Sequence, residues 1–336
     1  MINQRLDLSL SEQLKDRVWQ DDWAKMPTHL YPGQSRTILY PFWEREYNAL
    51  FEKVEPDTII HQLFAPATPA EMQPRYLVDS VGRWYALIGP RYNRRTQRRF
   101  CYVRYWQAAD ALALQEMVQA VLAGWQTVPF GWLKLRLGYS ATLEPPTIHP
   151  QAAIQSYVVA GRVSRNPAQI AAAQKNLAEL GLTLSDSADD LRWWADYEAL
   201  LHEQEQLEPE FAAWADYEAT LPHLKREMVD LLKNGGGALN LWAGARLVGH
   251  ISWEPYTYDE QLIARCWHIN NIIVAFDYRR QGLGQALHHL AAERMNLAVT
   301  PIVAGLINGQ NRKSLRTAAK IGRHIVDSYL IVPKGV

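Results

Sequence analysis

The chain has 336 residues, of which 48% are hydrophobic and 21% charged, a globular composition long enough for two domains of ordinary size. Lys and Arg together number 35, as do Asp and Glu, so the formal net charge is zero. This balance argues against a nucleic-acid-binding protein held by a broad cationic surface. Charges interrupt the N-terminal stretch, and no run of about 18 apolar residues occurs, so we expect no secretory signal, no membrane span and a cytoplasmic location.

The two cysteines, Cys101 and Cys266, lie far apart and lack the spacing of a metal site. We therefore expect two buried, reduced thiols and no bound metal. The composition does not decide between a monomer and a homodimer.

The first half of the chain predicts a series of strands and helices that ends in a connecting helix. Short apolar runs between turn residues predict the strands, and longer periodic stretches predict the helices. In chain order these are a strand at 36–42, a helix at 43–54, a hairpin at 75–89 turning at Val81–Arg83, a strand at 98–106, a helix at 111–125, strands at 131–140 and 156–163, and a helix at 164–181.

The second half predicts two helices, then strands that alternate with helices. In chain order these are helices at 185–206 and 209–237, a hairpin at 238–255 turning at Ala243–Ala245, a strand at 264–274, a glycine-rich turn, a helix ending at Met295, a strand at 300–307, a helix at 311–322 and a strand at 323–332. We expect the second helix to break near Pro222. The first half has a similar order of elements without the glycine-rich turn, which predicts two domains, 1–165 and 166–336.

The turn at 279–284, with the sequence RRQGLG, lies between a predicted strand and a predicted helix. Backbone N–H groups at such a turn bind phosphate with help from the helix dipole, and glycine lets the phosphate approach closely. A nucleotide-triphosphate loop would need Gly-x4-Gly-Lys-Ser/Thr, and a dinucleotide turn would need GxGxxG; neither matches here. The pattern favours a third kind of site, in which the turn holds a pyrophosphate.

Arg279-x-x-Gly282-x-Gly284, with a strand before it and a helix after it, resembles the acyl-CoA-binding motif Q/R-x-x-G-x-G/A of the GNAT superfamily of N-acyltransferases. Asn311-x-x-Ser314 opens a predicted helix and resembles the second motif of that superfamily. Together the two motifs imply acetyl-CoA as the co-substrate.

The resemblance covers residues 180–336 and implies an α+β (α/β) fold, with a splayed mixed β-sheet flanked by helices. It also implies two such domains in tandem, in which the first copy is degenerate, binds no CoA and shapes the acceptor cleft. The implied activity is transfer of an acetyl group to a primary amine by direct attack. The alternative is a non-catalytic acyl-CoA-sensing or scaffolding protein.

The amine acceptor stays open between a small molecule and a protein amine. The acidic stretch Glu203–Glu210 favours a cationic small molecule if it lines the entrance to the site. Its simpler interpretation is a solvated connector between two helices.

The resemblance assigns binding roles by position. Backbone amides of the turn would bind the pyrophosphate with Arg279 and Arg280 nearby, although a structural role for Arg279 is the alternative. The backbone of Ile273 and Val274 would pair with the pantetheine arm, and the Val274 N–H would face the thioester oxygen. Asn311 would contact pantetheine or cap its helix. The full predicted binding set is Ile273, Val274, Arg279, Arg280, Gln281, Gly282, Leu283, Gly284, Gln285, Asn311 and Ser314.

Two positions depart from the pattern of the family. Many relatives carry a tyrosine seven residues after the motif asparagine as the acid for the thiol, and this chain has Ala318 there. Arg323 stands where an aromatic residue is usual. The thiolate would leave unassisted, since a thiol pKa near 8.5 makes it a tolerable leaving group, or with help from Tyr329, Ser314 or Tyr278.

The resemblance also suggests a position for the general base. Some members of the family place a glutamate eleven residues before the first residue of the motif, where this chain has His268. A histidine that titrates near neutrality can deprotonate an ammonium group. The alternative is a histidine held by hydrogen bonds within the sheet, and Glu254 and His250 on the preceding strand are further candidates.

Overall fold

The computed structural model describes residues 2–5, 8–25, 40–41, 43–44, 47–48, 74–93, 98–124, 130–137, 145–187, 191–208, 217–259 and 264–334. The strands are β1 (Ile2–Arg5), β2 (Arg75–Val78), β3 (Trp84–Asn93), β4 (Arg98–Ala108), β5 (Trp132–Arg136), β6 (Ala153–Arg162), β7 (Thr183–Asp186), β8 (Gly237–Ala243), β9 (Arg246–Asp259), β10 (Ala264–Val274), β11 (Ile302–Asn308) and β12 (His324–Pro333). The helices are α1 (Leu8–Trp23), α2 (Ala111–Gly124), α3 (Pro145–Ile148), α4 (Pro167–Glu179), α5 (Trp194–Leu207), α6 (Tyr217–Lys233), α7 (Leu283–Arg294) and α8 (Arg312–Lys320).

Within these ranges the twelve strands form one mixed sheet in the order β1-β2-β3-β4-β5-β12-β6-β11-β10-β9-β8-β7. Read outwards from the central β12–β6 pair, one side runs β12, β5, β4, β3, β2, β1 and the other runs β6, β11, β10, β9, β8, β7. Counted from the centre, the strands β5 to β1 of the first half therefore correspond in position to the strands β11 to β7 of the second half. The last strand of each half lies in the sheet of the other half, so the halves exchange strands.

The sheet opens where the parallel strands β10 and β11 diverge. They pair only through Trp267–Ile269 and Val303–Gly305. Beyond that point β10 continues to Val274 beside β9, and β11 continues to Asn308 beside β6. A bulge at Asn270 interrupts the β9–β10 register where the strands separate. We call the opening between the ends of β10 and β11 the gap.

The two faces of the sheet carry different helices. Ile269 and Val303 line a small cavity together with residues of α7, which defines the α7 face. Past the bulge, Asn271 donates a hydrogen bond to the hydroxyl of Tyr197 in α5, which defines the opposite, α5 face. Because neighbouring side chains on a strand point to opposite faces, His268 points to the α5 face.

Apolar side chains fill the space between helices and sheet. In α7, Leu283, Leu287 and Leu290 follow helical spacing and are at most 1% exposed. Burying each of them contributes about 2–3 kcal/mol relative to an exposed side chain. In the N-terminal half, the rings of Trp19 and Trp43 pack with their centroids 5.0 Å apart.

Most of the predicted elements are confirmed. The two hairpins turn at Gly82 and Gly244, whose φ angles of 76° and 60° lie in the left-handed region that glycine adopts without strain. Both cysteines are buried, as predicted. Most of the predicted strand at 36–42 and of the helix at 43–54 lies outside the described residues, and Tyr40 and Pro41 are helical.

Other expectations about the elements are wrong. Helix α6 runs through Pro222 without a break. This proline stands in the second turn, where it removes a single backbone hydrogen bond, and the turns that follow hold the helix. The short elements β1, α3 and β7 and the 16-residue helix α1 were not predicted. None of the helices in the described ranges is long and apolar enough to cross a membrane.

Candidate functional site

The glycine-rich turn adopts the geometry of an anion-binding loop. Gly282 caps α7 with a φ of 78°, and Arg280 also lies in the left-handed region with a φ of 64°. The Asn176 amide in α4 braces the turn by donating to the Gln281 carbonyl at 2.9 Å. From Arg280 to Gly284 the backbone N–H groups donate no hydrogen bond to the described residues. The N–H of Gln285, predicted to bind the pyrophosphate, instead donates to the Gly282 carbonyl at 3.0 Å, which is a correction.

The protein itself gives no steric reason for glycine at position 284. A Cβ added there would lie 3.8 Å from Cγ2 of Thr317, an ordinary van der Waals contact, and would meet nothing closer. Gly284 is also absent from the residues with a positive φ, so its backbone needs no glycine. Free N–H groups beside an open cradle fit a phosphate that approaches from outside.

The equivalent place in the N-terminal half is closed to such a ligand. Asp110 precedes α2, and its carboxylate accepts a hydrogen bond from the Ala113 N–H at 2.8 Å. This negative charge occupies the helix N-terminus that a phosphate would need. Between β4 and β5, the indole of Trp106 donates to the Arg136 carbonyl at 2.5 Å and bridges the strands where they would diverge.

The end of β10 presents an N–H group to the gap. The Ala275 N–H donates to the Val248 carbonyl of β9 at 2.9 Å. Because hydrogen-bonded and non-bonded residues alternate along an antiparallel pair, Val274 directs its N–H and C=O away from β9. The Val274 carbonyl accepts a hydrogen bond from Nε of Arg279 at 3.0 Å. Its N–H faces the gap, and the same alternation turns the Ile273 amide towards β9.

Arg279 and Arg280 differ in their surroundings. Besides its bond to β10, Arg279 forms an ion pair with Glu208 at the end of α5, with Nη1 2.8 Å from Oε1. Lys313 at the start of α8 pairs with the same oxygen at 3.0 Å. Arg279 thus links β10 to α5, which is the structural role given above as its alternative. The exposed Arg280 lies beside the turn, where its side chain can contact a phosphate.

Glu208 holds its two cations as a charged group. Partial burial works against its ionised form, but the hydrogen bond from Lys313 and the charge of Arg279 outweigh burial and lower the pKa of Glu208. Glu203 likewise pairs with Arg246 at 3.0 Å. Within the described residues of the stretch, these carboxylates bind protein cations. Glu203 lies within α5 and not in a connector between helices. The entrance for a cationic acceptor stays a prediction, and Glu210 lies outside the described residues.

Asn311 caps α8, which is one of the two roles predicted for it. Its side-chain oxygen accepts a hydrogen bond from the Ser314 N–H at 3.0 Å. This satisfies one of the free N–H groups at the start of the helix and fixes its first turn beside the gap. Contacts of either side chain with pantetheine stay a prediction.

His268, Glu254 and Asn270 lie together on the strands beside the gap. His268 of β10 is directly opposite Glu254 of β9. The Asn270 amide in the bulge donates to Oε1 of Glu254 at 2.8 Å. Burial lowers the pKa of His268, the Glu254 carboxylate partly offsets this, and the charge of Arg323 adds to it. A neutral imidazole and a carboxylate therefore lie side by side, and both can accept a proton.

His250 is a core residue, so its prediction as a candidate base is wrong. Its ring packs 4.6 Å from that of Tyr197 and 5.0 Å from that of Trp193. Its Nδ1 lies 2.7 Å from Oδ1 of Asn240. Burial lowers the pKa of His250 from 6.5 to about 3. The side chain is sealed under α5 and touches no open surface.

Replacing His250 with glutamine should flatten the acid dependence of stability. Because the folded-state pKa is about 3 and the ordinary value 6.5, the unfolded chain binds the extra proton in this window, and stability falls as the pH drops below 6.5. Between pH 6.5 and about 4, His250→Gln should lose up to about 3 kcal/mol less than the parent. Urea denaturation at several pH values measures this, and equal losses would contradict the burial argument.

The prediction of Tyr329 as an acid for the thiol is also wrong. It lies on β12, paired with Arg136 of β5 and Ser156 of β6. Two strands, β6 and β11, separate it from β10, and the spacing of strands makes that distance roughly 14 Å. Ala318 is fully buried against Val159 and so faces the core.

Sequence reasoning missed the brace from Asn176 and the bulge at Asn270. The first contact joins residues 105 positions apart, and no local pattern announces it. The bulge has a signal, because two consecutive asparagines, Asn270 and Asn271, interrupt an apolar strand. Among the described residues, no group of three or more His, Cys, Asp or Glu is placed to hold a metal ion.

A mixed sheet whose parallel strands diverge, followed by a glycine turn at a free helix N-terminus, defines a GNAT-type acyltransferase fold. Residues 192–322 match the model of the acetyltransferase (GNAT) family. Residues 192–322 therefore form a GNAT acetyltransferase domain. None of the curated proteins matches the sequence.

Solved structures share this fold at low sequence identity. The GCN5-related glucosamine N-acetyltransferase region of a fungal multidomain GH3 β-N-acetylglucosaminidase is 10% identical with a TM-score of 0.50, and the match covers 98% of this chain and 37% of the fungal one. A GCN5-related N-acetyltransferase from Sphaerobacter thermophilus is 10% identical over 100% of this chain and 96% of its own, with a TM-score of 0.49. A tandem GNAT protein of clavulanic acid biosynthesis is 10% identical over 79% and 83%, with a TM-score of 0.41. At these identities the likeness concerns the fold alone.

Proposed function

We propose that the protein is an acyl-CoA-dependent N-acyltransferase that moves an acetyl group from acetyl-CoA to a primary amine. The observation that carries the proposal is the open cradle at Gly284 beside free N–H groups, at one end of a gap that also receives the Val274 N–H. Acetyl-CoA, when bound, supplies the activated thioester. The N–H groups of Gln281, Gly282, Leu283 and Gly284 would hold its pyrophosphate, with Arg280 alongside.

The chemistry asked of the protein is modest. An amine is reactive only when neutral, so a group beside the gap must accept its proton. His268 and Glu254 lie at that point on the α5 face, and Glu254 also supplies a negative charge that attracts an ammonium group. The Val274 N–H would stabilise negative charge that develops in the gap. Positioning of the two reactants contributes much of the remaining acceleration.

The N-terminal half has a supporting role in this proposal. Its own helix N-terminus carries the Asp110 carboxylate and its strands are bridged by Trp106, so it would bind no CoA. Its last strand, β6, instead pairs with β11, the strand on the far side of the gap, and holds it in place. The acceptor is a small-molecule or protein amine, and the ion pairs of Glu203 and Glu208 leave no preference for a cationic one.

One observation favours a second candidate, a protein that binds acyl-CoA without catalysing transfer. The position of the usual tyrosine is the buried Ala318, and Tyr329 is too distant to replace it. A thiolate leaving group needs little protonation at neutral pH, so we place this candidate second. The two candidates differ in whether free CoA is released.

Incubation with acetyl-CoA and a broad panel of amines tests the proposal through release of free CoA. We expect release with at least one amine, and we expect Glu254→Gln or His268→Ala to lower kcat about 10²–10⁴-fold because a proton acceptor is lost. The variant with the lower kcat should bind acetyl-CoA with unchanged affinity. The exposed His324 supplies a matched control, His324→Ala, with unchanged kcat. Tight binding of acetyl-CoA without release of CoA from any amine would support the non-catalytic candidate instead.

A further inference from the structure

A small cavity opens on the α7 face, away from the glycine turn. It lies between α7, the closed end of the β10–β11 pair, the end of β6 and the α8–β12 turn, and has a volume of about 30 Å³. Arg162 and Ser164 are exposed and stand at its mouth, with the half-buried His289. His288 and Arg323 are buried and form part of its wall.

Arg323 lacks a counter-charge. The residue is 5% exposed, and its Nε has no hydrogen-bond partner among the described residues. Its Nη2 lies 2.9 Å from Nε2 of His288. Since an arginine can only donate, His288 accepts this bond as a neutral ring. Burial lowers the pKa of Arg323 to about 10, so the guanidinium is still charged at neutral pH, and no carboxylate of the described residues offsets that burial.

A buried guanidinium without an anionic partner is costly, and the groups around it make the cost larger. Removing the partner of a buried charge strongly destabilises a protein. The titratable groups that line the cavity, namely His288, His289 and Arg162, are neutral or positive. The wall is otherwise apolar, with Ile269 and Val303 from the sheet. The arrangement has the positive half of an ion pair and lacks the negative half.

We propose that this cavity is an anion-binding site, in which Arg323 binds a small inorganic anion or a single carboxylate group. The volume of about 30 Å³ exceeds the roughly 10–15 Å³ that one water needs and suits an anion of a few atoms. The guanidinium of Arg323 would donate to the anion, and Arg162 would attract it to the mouth.

The site is separate from the glycine turn. Ala292 and Met295, at the C-terminal end of α7, line the cavity, whereas Gly284 lies in its first turn. At 1.5 Å per residue, Gly284 and Ala292 are about 12 Å apart along the helix. The anion site is therefore distinct from the proposed phosphate site, and its failure would leave the proposed acyl transfer untouched.

Thermal unfolding in graded concentrations of small anions tests the site. Chloride, formate and acetate represent free anions, and butyrate and succinate represent the carboxylate end of a larger ligand, with ionic strength held constant by a bulky sulfonate. We expect Tm of the parent to rise by roughly 2–4 °C at a tenfold excess over Kd. A response to the first group alone identifies a small-anion site, and a larger response to the second identifies a carboxylate ligand.

Arg323→Met should abolish this response and, without small anions, should melt above the parent because an unpaired buried charge is gone. The exposed Arg226 gives the matched control, since Arg226→Met should respond like the parent. If Arg323→Met does not fold, Arg162→Glu at the mouth should weaken the response roughly tenfold. No response in the parent, or equal responses in the parent and Arg323→Met, would overturn the proposal.

Discussion

Replacing Gly284 with glutamate should abolish acyl-CoA binding and leave the fold intact. The cradle has room for a side chain, because an added Cβ would meet only Cγ2 of Thr317 at 3.8 Å. A carboxylate in the first turn of α7 would, however, occupy the place of the pyrophosphate with a charge of the same sign. Two such charges about 4 Å apart repel by roughly 4 kcal/mol at a protein surface, which is about a thousandfold in Kd.

The equivalent helix of the other half supplies the control. Gly124 at the end of α2 also has open space around it, so Gly124→Glu adds the same charge without touching the glycine turn. Calorimetric titration with CoA should show parental affinity for Gly124→Glu and no measurable binding for Gly284→Glu, while circular dichroism spectra agree. Retained affinity in Gly284→Glu would show that the phosphate binds elsewhere.

The elements of the C-terminal half could be predicted because their signals are local. The hairpin at Gly244 and the helix start at Gly282 need left-handed glycines, whose φ angles are 60° and 78°. The strand before the turn and the amphipathic helix after it have clear periodicities. The same local signals located β2 to β6 and α2 in the first half, but they missed β1, α1 and α3. Propensity failed at Pro222, where neighbouring turns outweigh one lost hydrogen bond.

The exchange of the last strands could not be predicted. The apolar pattern of β12 indicates that the strand is buried on both sides, but it does not indicate which strands are its neighbours. β12 lies between β5 and β6, both from the first half. This placement is what removes Tyr329 from the gap, so an error in the chemistry followed from a feature of the topology.

The residues of the candidate site also differ in whether the sequence alone could identify them. Gly282 is recognisable because a left-handed helix cap favours glycine, and Gly284 because its spacing from Arg279 and Gly282 resembles the family motif. His250 and His268 are indistinguishable by residue type and spacing, yet one is sealed under α5 and the other lies opposite Glu254 beside the gap. Arg323 and His288 meet across 35 positions, and only the structure shows that the arginine has no carboxylate partner among the described residues.

Removing the charge of Asp327 should destabilise both halves together. Asp327 of β12 and Asp22 of α1 flank Arg136 of β5, with oxygens 2.6 Å and 3.2 Å from the guanidinium nitrogens. All three residues are at most 5% exposed. Breaking the shorter of these two buried pairs leaves Arg136 with Asp22 as its remaining carboxylate partner, so Asp327→Asn should lower the free energy of unfolding by about 3 kcal/mol, the low end for a broken buried pair. The exposed pair of Lys175 and Glu179 supplies the control, and Glu179→Gln should cause a much smaller loss.

The way in which stability is lost distinguishes an exchanged sheet from two independent domains. β12 belongs to the second half in sequence but joins β5 to β6, and β6 in turn holds β11 at the gap. Loosening β12 therefore removes support from both halves, and urea unfolding of Asp327→Asn should remain a single transition shifted to lower concentration. Hydrogen exchange should accelerate equally in β5 and β11. Early unfolding of the first half alone, with β11 still protected, would show that the halves are stable separately and that the exchanged strands do not couple them.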